Sequence, residues 1–203
     1  AVMGDLTDEG EGGTLSLGSG ANVTINGASS LDHSTIGGNG ALVLNDKLTL
    51  SGTAGLRGGN VVELVKNDTA SGTLDIGSTT GNAVSGLGGA GTLKGNGGDL
   101  SVNSGDTGSG HVFSGTLEGK GTLSITGKAG QVLNNVVTAS GSSWALNNSG
   151  RLDIRMGCTV DDPKANTALT LSSLTLGSGS TTNLTFNTDY AGPIINVTGN
   201  ISI

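Results

Sequence analysis

One short pattern recurs along this chain: a glycine, any residue, a leucine, any residue, and then leucine, isoleucine or valine. Each copy alternates apolar with other side chains, which is the period of a β-strand that has one apolar face. Successive copies lie roughly 20 to 30 residues apart, a spacing that indicates a solenoid of stacked coils. The copies are residues 13–17, 40–44, 72–76, 98–102, 121–125 and 150–154.

Composition supports strands that stack over a narrow interior. The chain has 203 residues, of which 39 are glycine and 2 are proline, and only 2% are aromatic. Few prolines leave long ladders of paired strands uninterrupted, and no stretch combines a helical period with helix-forming residues. The regular alternation of aliphatic residues argues against disorder. We therefore predict an all-β parallel β-helix of about 8–10 coils; a β-sandwich, with strands every 8 to 12 residues, is the alternative.

The pattern extends over residues 1–203 without a linker, so we expect a single β-helix segment. Two stretches interrupt it, residues 57–71 and 157–167, and these are predicted excursions where a binding function is most easily added. Residues 199–203 still read as a strand, from which we expect the chain to be a fragment of a longer rod.

Charge and cysteine content narrow the function classes. The net charge is −7 and the nine basic residues are scattered singly, which argues against nucleic acid as a partner. No apolar run reaches the roughly 20 residues of a membrane helix. Cys158 is the one cysteine, so no internal disulfide forms, and its neighbours Asp161 and Asp162 do not favour a reactive thiolate.

Residues 173–186 and 194–203, together with 143–154, resemble the passenger domains of autotransporters of the AIDA and antigen 43 type. The resemblance is strongest over residues 140–203. It implies a right-handed β-helix exported to the bacterial cell surface through the protein's own C-terminal outer-membrane β-barrel, with residues 170–203 close to that barrel. It also implies an adhesin or a self-associating factor in aggregation, biofilm formation and virulence, whose partners are a host-cell surface or identical passengers on neighbouring cells.

Several short motifs resemble catalytic or binding sequences, but each lacks a required companion. Residues 106–109 spell an aspartic-protease signature without a second copy to share the proton. Residues 86–91 have the glycine spacing of a dinucleotide loop, but a strand and a turn follow where a helix is needed. Residues 95–100 resemble a calcium nonapeptide once, with the apolar residue out of place, although a calcium ion held by aspartates stays open.

The remaining candidates are the two histidines and the three arginines. We expect His33 and His111 to lie on the surface, because neighbouring residues on a strand point to opposite faces and Asp32-His33-Ser34 then form no triad. Arg151 and Arg155 flank Asp153 on one strand and are predicted to form an ion-pair row with it. Arg57 is the third arginine, and an arginine or lysine base is what a polysaccharide lyase would need.

We therefore predict a non-catalytic passenger that acts as an adhesin or self-association stalk, with no catalytic, cofactor or metal residues assigned. Two alternatives stay open. The segment is a stem for a separate N-terminal protease or esterase, or it is itself a β-helix that cleaves polysaccharides. The sequence names neither the ligand nor the face that binds it.

Overall fold

The computed structural model describes residues 1–8, 12–105, 111–156, 168–186 and 195–203. This part of the chain is all-β and contains 24 strands and no helix. The strands are β1 (Val2–Met3), β2 (Thr14–Leu17), β3 (Asn22–Ile25), β4 (Ser29–Leu31), β5 (Thr35–Gly38), β6 (Ala41–Leu44), β7 (Lys47–Leu50), β8 (Gly55–Leu56), β9 (Val61–Leu64), β10 (Thr73–Asp75), β11 (Asn82–Val84), β12 (Gly86–Gly89), β13 (Thr92–Val102), β14 (His111–Phe113), β15 (Thr116–Ile125), β16 (Gln131–Asn134), β17 (Val137–Thr138), β18 (Ser143–Asn148), β19 (Arg151–Met156), β20 (Leu169–Leu171), β21 (Ser173–Leu176), β22 (Thr181–Phe186), β23 (Ile195–Val197) and β24 (Ile201–Ser202).

The strands stack as a parallel β-solenoid of about eight turns. Every pairing between these strands is parallel, as between β3 and β6 or β19 and β22. Register partners follow one another at the length of one coil, from 18 residues between Asn82 and Leu100 to 30 between Arg151 and Thr181. The predicted parallel β-helix is confirmed, and the β-sandwich is excluded, since a sandwich is built from antiparallel neighbours.

Each coil has three faces. The first face is the nine-stranded sheet β1-β3-β6-β9-β12-β14-β16-β19-β22. The second face contains β4, β7, β10, β17 and the first halves of β13 and β15. The third face contains β2, β5 and β8 as a separate sheet, and β11, β18, β21 and β24 with the second halves of β13 and β15.

The interior is a stack of aliphatic side chains in register. On the first face Val23 pairs with Leu42, which pairs with Val62, and all three are buried. Their sequence neighbours point outward, because side chains alternate between the two sides of a strand. Full burial of each such side chain contributes about 1.5–3 kcal/mol, and this repeated burial holds the coils together.

The glycine-leucine pattern marks strand entry, not a fixed position of the coil. Its copies lie on all three faces, at β2, β6, β10, β13, β15 and β19. Only the copies at 98–102 and 121–125 are direct register partners. The other copies therefore do not stack on one another. The chain turns a corner before each face, and neighbouring coils crowd together there. At several of these corners the residue is a glycine, which has no side chain to clash.

The corner between the first and second faces shows the crowding directly. A Cβ atom on Gly91 would overlap the carbonyl oxygen of Gly72, and one on Gly115 would overlap the carbonyl oxygen of Gly91. Three successive coils thus approach at this corner too closely for any side chain.

The predicted excursion at 57–71 begins too early. Its first part contains β9, which lies in the regular stack with Leu64 fully buried. The chain leaves the stack only after β9 and returns at β10. The second predicted excursion, residues 157–167, lies outside the described residues.

The last described coil is less covered than the others. Leu184 and Phe186 pair in register with the buried Ile154 and Met156, yet they are 51% and 55% exposed. Ile201 on the third face is 60% exposed. These side chains continue the columns of interior side chains, and no described strand lies over them.

Candidate interaction surfaces and the predicted site residues

Small, mostly polar side chains form a column on the outer side of the third face, which we call the hydroxyl face. The column has one residue from each of six neighbouring strands: Ala83, Ser101, Ser124, Asn147, Thr175 and Ser202. A parallel column contains Asp99, Thr122, Ala145 and Ser173. Because stacked strands lie about 4.8 Å apart, these groups form a regular array with a single charged side chain.

Asp99, the charged member, is hydrogen-bonded to the preceding coil. Its carboxylate oxygen Oδ1 accepts a hydrogen bond of 2.8 Å from the Gly81 N–H. The hydroxyl face therefore presents donors and acceptors with little net charge.

The second face is charged, with alternating signs along the solenoid axis. Lys47 Nζ lies 3.1 Å from Asp75 Oδ2, and Lys94 Nζ lies 2.6 Å from Glu118 Oε1. The hydrogen bond and charge of Glu118, with a further contribution from Asp75, raise the pKa of Lys94. Both pairs are partly exposed, so water screens their attraction and they add little to stability. This face satisfies its own charges between neighbouring coils.

Glu63 on β9 and His111 on β14 lie on the outside of the first face, on either side of β12. The outward residues of β12 between them are glycines. A Cβ atom on Gly88 would overlap the Glu63 carboxylate, and one on Gly86 would overlap the His111 ring. The two glycines thus leave a notch that the acid and the imidazole occupy. Burial raises the pKa of Glu63, and the nearby charge of His111 opposes that effect.

His33 does not follow the sequence argument. Residues 32 and 33 form a bend, not a strand, so His33 Nδ1 lies 3.1 Å from Asp32 Oδ2 and the two side chains do not point apart. The triad is still not assembled, because the Ser34 hydroxyl bonds to Asp8. Asp8 also accepts hydrogen bonds from the backbone N–H groups of residues 32–34, at 2.7–3.1 Å. Desolvation raises the pKa of Asp8, but these hydrogen bonds outweigh it and hold that pKa far below its usual range.

The arginines form ion pairs and hydrogen bonds on the surface of the solenoid. Arg151 Nη2 and Arg155 Nη2 lie 3.6 and 3.9 Å from Asp153 Oδ2, which confirms the predicted ion-pair row. Asn183 of the next coil donates a hydrogen bond of 2.6 Å to Asp153 Oδ1. Arg57 Nη1 donates to the Gly81 carbonyl at 2.7 Å, which ties two neighbouring coils.

The glycine-rich motifs are parts of the stack. Residues 86–89 are β12, and residues 95–100 lie inside β13, where the register shifts between Asn96 and Gly98. Within the described residues, no three His, Cys, Asp or Glu side chains converge closely enough to hold a metal ion. The motif at 106–109 and Cys158 lie outside the described residues.

Two buried amides have structural roles that the sequence argument missed. Gln131 Nε2 donates to the carbonyls of Leu87 and His111 at 2.7 and 2.9 Å, and its Oε1 accepts from the Leu87 N–H at 3.2 Å. Gln131 thereby supplies hydrogen-bond partners to backbone groups of β12 and β14, two strands that have a single pair of residues in register. Asn82 accepts from the Leu56 N–H at 3.1 Å and donates to the Asp99 carbonyl at 3.0 Å. In the sequence, the sign of such a role is a single polar residue at an inward-pointing position of an otherwise apolar strand.

Comparison of the chain with protein-family models, with curated proteins and with solved structures gives no match. The resemblance of residues 140–203 to autotransporter passengers thus stays a prediction from the sequence. In the part of the chain that the structure covers, no helix is long and apolar enough to span a membrane.

Proposed function

We propose that this chain is a non-catalytic, surface-displayed stalk of the autotransporter-passenger type, which associates with identical copies through its hydroxyl face. The observation that carries the proposal is the near-neutrality of that face on an acidic protein. With a net charge of −7, two copies repel each other electrostatically. A column of Ser, Thr, Asn and Ala side chains is where they can approach with least repulsion.

The geometry of the hydroxyl face suits repeated weak contacts. Its column of six residues spans about 24 Å along the axis, and a six-residue strand such as β18 is about 20 Å wide. Contact over this area buries on the order of 500 Å² per copy, below the roughly 800 Å² of a stable interface. Each hydrogen bond adds only about 0.5–1.5 kcal/mol. One pair is therefore weak, and strong adhesion requires many copies acting together.

The experiment compares two double variants on beads coated with the purified chain, so that many copies face each other. S101D/S124D places two carboxylates on the hydroxyl face, at positions that are register partners. T92D/T116D is the matched control, because it adds the same charges to the same two strands, β13 and β15, on the second face. We expect wild-type and control beads to clump and S101D/S124D beads to stay dispersed.

Salt gives a second readout. Since screening weakens the repulsion between acidic copies, clumping of wild-type beads should increase between low and physiological ionic strength. Self-association is wrong if wild-type beads do not clump at either ionic strength. The choice of face is wrong if S101D/S124D beads clump as well as the control.

A further inference from the structure

The loop between β9 and β10 folds back over a pair of stacked asparagines. Asn26 and Asn45 occupy the corner between the first and second faces in neighbouring coils, and Asn45 Nδ2 donates a hydrogen bond of 2.7 Å to Asn26 Oδ1. In the next coil the same corner is extended by the loop. Its Ser71 N–H donates to the Asn45 carbonyl at 3.0 Å.

The loop is held in one conformation by its own hydrogen bonds. Lys66 and Ser71 form an antiparallel bridge at its base. At its tip, Asn67 Oδ1 accepts from the N–H groups of Thr69 and Ala70, each at 2.9 Å. A loop fixed in this way loses little conformational entropy when a ligand binds.

Loop and asparagine pair together enclose an open cavity of about 440 Å³. That volume is within the range of about 300–1,000 Å³ typical of small-molecule sites. Its lining residues are Asn26, Asn45, Asp46, Thr69, Ala70 and Ser71. The lining thus combines amides, a carboxylate and hydroxyls, without a basic or aromatic side chain.

Several of these polar groups are available to a ligand. Among the described residues, Asn26 Nδ2, Asn45 Oδ1 and the Ser71 hydroxyl have no hydrogen-bond partner. Asp46 Oδ1 accepts from the Lys47 N–H at 2.7 Å, which leaves Oδ2 for another donor. The cavity therefore offers one amide donor, amide and carboxylate acceptors, and a hydroxyl that can do either.

This set matches the hydroxyl groups of a sugar, since each of them both donates and accepts a hydrogen bond. A phosphate would meet the Asp46 carboxylate with no cation in the lining, and an aromatic ligand would find no ring to stack on. A metal ion would find a single carboxylate, fewer than calcium sites use. We propose that this cavity binds one neutral hexose unit of a surface glycan. Without an aromatic platform, the dissociation constant is on the order of 1–10 mM.

The test is an NMR titration of the isotope-labelled chain with the methyl glycosides of glucose, galactose and mannose. We expect at least one of them to shift the side-chain amide signals of Asn26 and Asn45 in a saturable way. The matched ligand control is 2-methoxytetrahydropyran, which has the same ring without hydroxyl groups and should shift neither signal.

Two variants locate the site. D46A and S71A change exposed side chains, so the fold should persist, which the dispersion of the spectrum checks. Each should weaken glycoside binding about tenfold or more, whereas N147A on the hydroxyl face should leave it unchanged. No saturable shift with any glycoside, equal binding by D46A, or a response to calcium chloride alone would overturn the proposal. Bead clumping should be the same for D46A and wild type, so this site and the self-association proposal fail independently.

Discussion

The coils of residues 22–64 and those of residues 86–148 solve the same packing problem differently. In the first region the interior of the first face is aliphatic throughout, and each coil repeats after 19 or 20 residues, from Asn22 to Ala41 to Val61. In the second region two aromatic side chains, Phe113 and Trp144, are fully buried.

Glycines make room for these aromatic rings. Trp144 is the register partner of Gly121, where a Cβ atom would lie 2.7 Å from the indole. Phe113 is the register partner of Gly89, and a Cβ atom on Gly115 would lie 2.5 Å from its ring. For Trp144 the missing side chain is in the neighbouring coil, at Gly121, whereas for Phe113 it is in the same coil, at Gly115. The comparison shows that a narrow solenoid tolerates aromatic residues where a glycine lies against the ring.

The largest expected effect tests this size matching. Trp144→Ala should lower the free energy of unfolding by about 3–5 kcal/mol, because the surrounding glycines cannot fill the space. Gly121→Ala should destabilise the wild type through its clash with the indole, yet cost less in the Trp144→Ala background. Denaturant unfolding of the two single variants and the double variant measures this coupling. Strictly additive effects would show that Gly121 is not matched to Trp144.

A smaller loss of stability is expected when the buried amide of Gln131, in the second region, is removed. Gln131→Ala leaves polar groups of Leu87 and His111 without their buried partner, at a cost of about 1–3 kcal/mol. Asn134→Ala on the same strand is the matched control, since Asn134 makes one long hydrogen bond of 3.4 Å to Ser114. Hydrogen exchange should show a faster Leu87 amide in Gln131→Ala alone. Equal destabilisation by both variants would contradict the role of Gln131.

The smallest expected effect on stability comes from Glu63, at the boundary of the two regions, where β9 pairs with the glycines of β12. The pKa of Glu63 is raised above its usual 4.5, so its contribution to stability is present at low pH and is lost as the pH rises through its folded pKa. Asp8 behaves oppositely: its depressed pKa gives stability that is present above 3.8 and is lost as the pH falls.

Carbon-13 NMR titration of the carboxyl groups measures both directions. Gly88→Ala should push the Glu63 side chain into solvent and bring its pKa back towards 4.5, while Asp8 serves as the internal control and does not change. A Glu63 pKa that stays raised in Gly88→Ala would show that the glycine notch does not cause the shift.

Local pattern was enough to predict the strands. The alternation around Leu42 and Leu44 or Leu123 and Ile125 identifies a half-buried strand without reference to any other part of the chain. The scarcity of proline and aromatic residues, with repeats roughly 20 to 30 residues apart, then indicates parallel stacking. The same reasoning placed Arg151, Asp153 and Arg155 on one side of a strand, because that row depends only on a period of two.

The candidate surfaces needed the register between coils. Ser101, Ser124 and Asn147 form one column, and Asn26 contacts Asn45, only because residues 19 to 23 positions apart lie side by side in neighbouring coils. Loops of unequal length set that register, and sequence spacing alone does not reveal it. For the same reason the sequence placed the excursion at 57 and not after β9.

The sequence by itself therefore determined that this chain forms short, one-sided strands, since side-chain alternation is a local property of each strand. Only the tertiary structure decided which glycine faces Trp144, why Gln131 is buried, and which outer groups form the hydroxyl face and the polar cavity. Those relations depend on contacts between coils, where a shift of one residue moves every side chain to the opposite side.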